Sequence, residues 1–121
     1  MASYVARMAD EIEALAVYGT LAPGEKNHWV VSRIGGEWCT GTVRGYTFEI
    51  TWGVAEGYEG FVADESGGLV QVAVLRSSQL ANRWREIDDF EGAGYERRSV
   101  EVTLGSGAVV AAQVYVALTD S

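Results

Sequence analysis

The chain has 121 residues, 48% of them hydrophobic and 21% charged, the make-up of one globular domain with a single core. With 17 acids against 9 bases its formal charge is -8, which excludes phosphate backbones and anionic membrane surfaces as partners, and so nucleic acid and membrane alike. Cys39 is the single cysteine and His28 the single histidine, too little for an internal disulfide or a nitrogen and sulfur metal site, so no metal and no cofactor is expected. No basic leader precedes an apolar run, and no apolar run reaches the roughly 18 residues that span a bilayer, so a reduced, cytoplasmic protein is expected.

Near the N-terminus, Tyr4, Val5, Met8, Ile12 and Leu15 share one face of a helical wheel, while Arg7, Asp10, Glu11 and Glu13 take the other. This pattern predicts an N-terminal helix that packs on the domain or on a second copy of the chain as a homodimer. Its acidic polar face does not suit a membrane surface.

Ala14 to Tyr18 is apolar and reads as a buried strand that runs out into Gly19-Thr20-Leu21-Ala22-Pro23-Gly24, where Pro-Gly signals a turn. Two readings of the loop are open. With positive φ at Gly19, the amides of Tyr18, Gly19, Thr20 and Leu21 would converge on an anion as a backbone nest; otherwise they form an ordinary strand-to-turn connection. Its single glycine and the lack of a Lys-Ser/Thr ending exclude a phosphate loop.

Asn27 is placed to cap a short helix through Trp29, Val30 and Ile34, ended by Gly35-Gly36. His28 reads as a surface or structural residue. Cys39 falls in a strand with no base nearby in sequence and reads as a small buried hydrophobe rather than a nucleophile.

From Trp38 the pattern is β: Trp38 to Val43, Tyr46 to Trp52, Gly60 to Ala63 and Leu69 to Leu75, then Glu96 to Leu104 and Val109 to Leu118 joined by Gly105-Ser106-Gly107 as a hairpin. Six or seven strands with one main helix make an α+β plan, a small mixed β-barrel or half-barrel with flanking helices.

The stretch from Leu80 to Arg97 reads as a helix, its stop and the start of a strand. Leu80, Trp84 and Ile87 make one apolar stripe, and continuing the spacing by four puts Glu91 on it; Arg85, Glu86 and Asp89 face away, and Asp88 flanks the stripe. Gly92 and Gly94 supply the stop. A carboxyl group aimed into apolar surroundings has its charged form destabilised, which raises its pKa toward that of a general acid/base near neutrality. The alternative is that the helix frays at Phe90 and Glu91 hydrates.

Two motifs in this order, Val17-Tyr18-Gly19-Thr20-Leu21 with Pro23-Gly24, and Ile87-Asp88-Asp89-Phe90-Glu91-Gly92 with Tyr95-Glu96-Arg97, resemble the γ-glutamylcyclotransferase-like (AIG2-like) family, in its small bacterial branch near the γ-glutamylamine cyclotransferases. The resemblance covers Ala14 to Leu118 within a single domain, 1–121, and leaves residues 1–13 as a helical extension. It implies a six-stranded barrel with flanking helices, a catalytic glutamate at Glu91, and substrate held by the backbone of Tyr18, Gly19, Thr20 and Leu21. Tyr95 falls on the family's tyrosine near the pocket. The implied reaction is attack of a γ-glutamyl compound's own α-amine on its γ-carbonyl, which releases 5-oxoproline and an amine or amino acid without cofactor or metal. A binding module that holds a γ-glutamyl or other small carboxylate ligand without turnover is the competing reading. The chain departs from the family pattern at Glu59, where proline is common, and around Gln71-Val72, which lacks a common Gly-Glu. Both departures are expected to fall on the pocket wall and bear on substrate choice.

Overall fold

The computed structural model describes residues 12–53 and 55–118, so the expected N-terminal helix lies outside the described part except for residues 12–15, which are not helical, Ala14 and Leu15 belonging to a strand. The described residues form six strands, β1 (Ala14–Val17), β2 (Glu37–Glu49), β3 (Glu59–Ala63), β4 (Gly68–Arg76), β5 (Tyr95–Leu104) and β6 (Val109–Ala117). Between β4 and β5 lie a 3-10 turn, Ser78–Asn82, and the helix α1, Trp84–Glu91; a short 3-10 turn, His28–Val30, precedes β2.

The sheet order is β3-β2-β4-β1-β6-β5, and a further pairing of β2 with β5 closes five of the strands into a barrel. β3 stands outside that ring, paired only with the far half of β2. The expected barrel of six or seven strands is therefore five closed strands plus one. Two glycines account for the difference. At Gly41, where β2 meets Leu104 of β5, an added Cβ would lie 2.7 Å from a Val102 methyl and 2.8 Å from the Thr103 carbonyl, so only glycine lets the two strands come close enough to close the ring. At Gly45 the strand pairs with Gly68 of β4 on one side and Ala63 of β3 on the other, and a Cβ would run into the Val62 carbonyl and the Phe61 ring. The strands expected separately at Trp38–Val43 and Tyr46–Trp52 are consequently one strand that changes partner at Gly45.

Period-2 alternation along β1 sends its side chains to two cores. Ala14 and Ala16 face the barrel interior with Val43, Phe61, Val74, Val102 and Val114. Leu15 and Val17 face outward onto Leu21, Val31, Leu75, Leu80, Trp84, Ile87 and Tyr115. The apolar stripe of Leu80, Trp84 and Ile87 is buried as expected, but Leu80 belongs to the 3-10 turn and not to α1. Ser77 caps that turn, its hydroxyl accepting from the Gln79 amide at 3.1 Å and donating to the Gly35 carbonyl. No helix among the described residues is long and apolar enough to cross a membrane.

Candidate active site

The outer core ends at a cavity of about 610 Å³ enclosed by the loop after β1, the start of β3, the end of α1 and the start of β5. Tyr18, Gly19, Thr20, Leu21, Glu91 and Tyr95, all singled out in the sequence, line it together. So do Lys26, Asn27, Tyr58, Glu59 and Tyr115.

Glu91 is the last residue of α1, one turn beyond Ile87, and α1 does not fray before it. Gly92 ends the helix at φ 78°, its amide donating to the Asp88 carbonyl at 3.0 Å. Among the described residues no hydrogen bond or ion pair reaches the Glu91 carboxyl, and burial pushes its pKa up from 4.5 to about 7. Three tyrosines face it. Tyr18 is raised by burial and by the charges of Tyr95, Glu91 and Glu59; Tyr95 is pushed up to about 12 by burial and then by Glu91, Tyr58 and Glu59. Tyr115 is raised by burial and then by its hydrogen bond to Asp88. All three hydroxyls therefore stay protonated, and each is anchored: Tyr18 donates to the Tyr115 carbonyl at 2.6 Å, Tyr95 to the Glu59 carbonyl at 2.9 Å, and Tyr115 to Asp88 Oδ1 at 2.6 Å.

Asp88 carries more than a flanking position suggests. Arg97 of β5 meets it with two parallel bonds, Nε to Oδ1 at 2.9 Å and Nη2 to Oδ2 at 3.1 Å, and the guanidinium lies 4.7 Å from the centre of the Trp84 ring. The pair ties α1 to β5 and, through Tyr115, to β6.

The loop after β1 is a turn, not a nest. Gly19 is not among the residues with positive φ, so of the two readings left open the ordinary strand-to-turn connection is the one seen. The turn closes with the Ala22 amide donating to the Gly19 carbonyl at 3.1 Å, a geometry that leaves the amides of the intervening residues unused by the turn. Among the described residues no acceptor meets the amides of Gly19, Thr20 or Leu21, so the loop still offers backbone donors at the cavity wall. A side chain added at Gly19 would meet nothing within 4 Å.

Asn27 is not a helix cap: it makes no capping bond, and the short helix expected after it is a single 3-10 turn. Instead its Nδ2 donates to Thr20 Oγ1 at 3.0 Å and its amide to the Thr20 carbonyl at 2.9 Å. His28 Nδ1 lies 2.8 Å from the Leu21 carbonyl. Together they hold the loop in shape. Cys39 is half-buried in β2, its thiol directed at the Val74 carbonyl, away from the cavity. Of the two departures, Glu59 does line the cavity, whereas Gln71, paired with Thr42 inside the sheet, does not. Among the described residues no group of three His, Cys, Asp or Glu is placed to hold a metal ion.

Sequence comparison bears on the same elements. The family described as gamma-glutamyl cyclotransferase, AIG2-like matches residues 15–121. The chain belongs to this family. No curated protein sequence matches the chain. Among solved structures it is similar to YkqA of Bacillus subtilis, at 25% identity and a TM-score of 0.67 over 87% of this chain and 35% of that one. The chain thus spans about a third of the Bacillus protein. An uncharacterised protein, PH0828, of Pyrococcus horikoshii is 26% identical, with a TM-score of 0.58 over 88% of this chain and 79% of that one. A mouse AIG2-like protein shares the fold at 23% identity, with a TM-score of 0.65 over 92% of this chain and 80% of that one.

Proposed function

We propose that this family member is a cyclotransferase that converts a γ-glutamyl compound to 5-oxoproline and a free amine or amino acid, with Glu91 as the single general acid/base. The observation that carries this reading is Glu91 itself, desolvated to a pKa of about 7 on a cavity that the loop of Gly19, Thr20 and Leu21 also lines. A carboxyl poised there can both accept and return a proton near neutral pH.

The steps balance without water or a protein nucleophile. Ionised Glu91 removes a proton from the substrate α-ammonium; the freed amine attacks the γ-carbonyl, forming the ring N–C bond. The amide C–N bond then breaks as Glu91 returns the proton to the leaving nitrogen, and the second proton that the ring nitrogen sheds on becoming an amide passes by way of Glu91 to the released amine, which departs as an ammonium ion. The loop of Gly19, Thr20 and Leu21 would hold the substrate carboxylate or the developing oxyanion, where preorganised dipoles act most strongly. Because the attacking amine is already tethered to the γ-carbonyl, what the cavity contributes by positioning is to hold the chain in its cyclising conformation.

The test is 5-oxoproline release from a panel of γ-glutamyl peptides, γ-glutamylamines and glutathione by the wild type and Glu91→Gln. Release by the wild type alone supports the reading. Full turnover by the folded variant removes Glu91 from the chemistry. Ligand-induced stabilisation without product from any member of the panel assigns the cavity a binding role instead.

A further inference from the structure

A second hollow, of about 500 Å³, adjoins the cavity, and Ala55 and Ala93 line both. Its other walls are largely apolar: Phe48, Ile50, Trp52, Ala117 and Leu118, with Glu49 the one titratable residue among the described residues that line it. Trp52 is 60% exposed and Leu118 50%, so large apolar surface stands open on this hollow. None of the polar groups that could anchor the glutamyl end reaches it: the loop of Tyr18 to Leu21, Lys26 and Asn27 line the first cavity alone.

We propose that this second hollow is the subsite for the group carried by the leaving nitrogen, and that it takes an apolar alkyl or aryl substituent. The proposal rests on the cyclotransferase reading. In that reaction the scissile nitrogen must meet Glu91, so its substituent begins beside Glu91 and extends away from the loop that holds the glutamyl end. Ala93, two residues past Glu91, is on the wall shared with the second hollow. The two residues shared by both linings, Ala55 and Ala93, carry side chains no larger than a methyl group, and what lies beyond them is largely apolar.

The experiment is a series of γ-glutamyl n-alkylamides from ethyl to octyl, together with the phenethylamide. Turnover is measured with wild type, Trp52→Ala and Ala93→Leu, and binding with Glu91→Gln by calorimetry. Each methylene that enters the hollow is expected to raise kcat/KM, and affinity for Glu91→Gln, by about four-fold. The octyl-to-ethyl ratio is expected to fall in Trp52→Ala, which strips one wall, and to collapse in Ala93→Leu, which narrows the passage. A flat series in the wild type overturns the proposal, as when the hollow is filled by another part of this chain or by a second copy. A length dependence unchanged in both variants overturns it too, because the substituent then leaves by another route. If no amide turns over, the calorimetric series still decides: increments there keep the subsite while the proposed reaction fails, and turnover without increments does the reverse.

Discussion

Glu91→Gln is expected to make the protein more stable at high pH while it abolishes turnover. The folded state raises the Glu91 pKa from 4.5 to about 7, and burial is the sole cause. Below pH 4.5 the carboxyl is protonated in folded and unfolded chains alike, and the residue adds nothing to the pH dependence. Between 4.5 and 7 the folded chain holds a proton that the unfolded chain has lost, so stability falls as pH rises; above about 7 both are ionised and the loss is complete. At about 1.4 kcal/mol for each tenfold change in proton affinity, the penalty at high pH is roughly 3 kcal/mol. Glutamine keeps the shape and cannot ionise, so it escapes this penalty. Urea unfolding of both proteins from pH 4 to 8.5 measures it directly, since every other titrating group cancels in the difference. The variant's advantage should grow with pH across the window and level off near pH 8. A difference that stays flat would mean that Glu91 is hydrated in the folded protein, and would refute the argument for its catalytic poise.

The other expectations concern what surrounds that carboxyl. Gly19→Ala should leave unfolding free energy within about 0.5 kcal/mol, because the new methyl meets no protein atom within 4 Å, yet raise KM about ten-fold by standing in the cavity; equal loss of stability and activity would show that the glycine serves the turn alone. Asp88→Asn removes the charge that balances the Arg97 guanidinium beside Tyr115, so the acid limb of the activity profile should move to lower pH, and Arg97→Gln should move it to higher pH. Lowered kcat in both variants with an unmoved limb would confine the pair to a structural role.

Most of this site could be read from the chain because its signals are local. The spacing of Trp84, Ile87 and Glu91 lies within one helix, and the loop from Tyr18 is marked by Gly19 and Pro23-Gly24 a few residues apart; both come to one cavity. What escaped notice was non-local or ambiguous. The same period-2 alternation serves an open sheet and a closed barrel, and only the close approach at Gly41 distinguishes them. A glycine inside a strand reads as a break, yet Gly45 keeps β2 continuous and lets it exchange β4 for β3. Asn27 can donate to a helix end or to a neighbouring loop, and residue type alone does not choose between them. Tyr115 carried a weak signal, a polar hydroxyl in the apolar run of β6, whose meaning depended on Asp88, 27 residues away.

The placement of Glu91 also explains why its helix is tied down so firmly. An isolated helix of eight residues is far too short to hold its last turn in water, and hydrating a carboxylate at that turn would favour fraying. A raised pKa persists only if the surroundings prevent the escape. Asp88, one turn earlier on the same helix, supplies that restraint through its two bonds from Arg97 and the third from Tyr115, with Trp84 under the guanidinium. The ion pair and the desolvated acid therefore act as one device. The charge of Asp88 is balanced by Arg97 and restrains the helix, whereas no ion pair reaches Glu91 among the described residues and it keeps its proton affinity near neutrality.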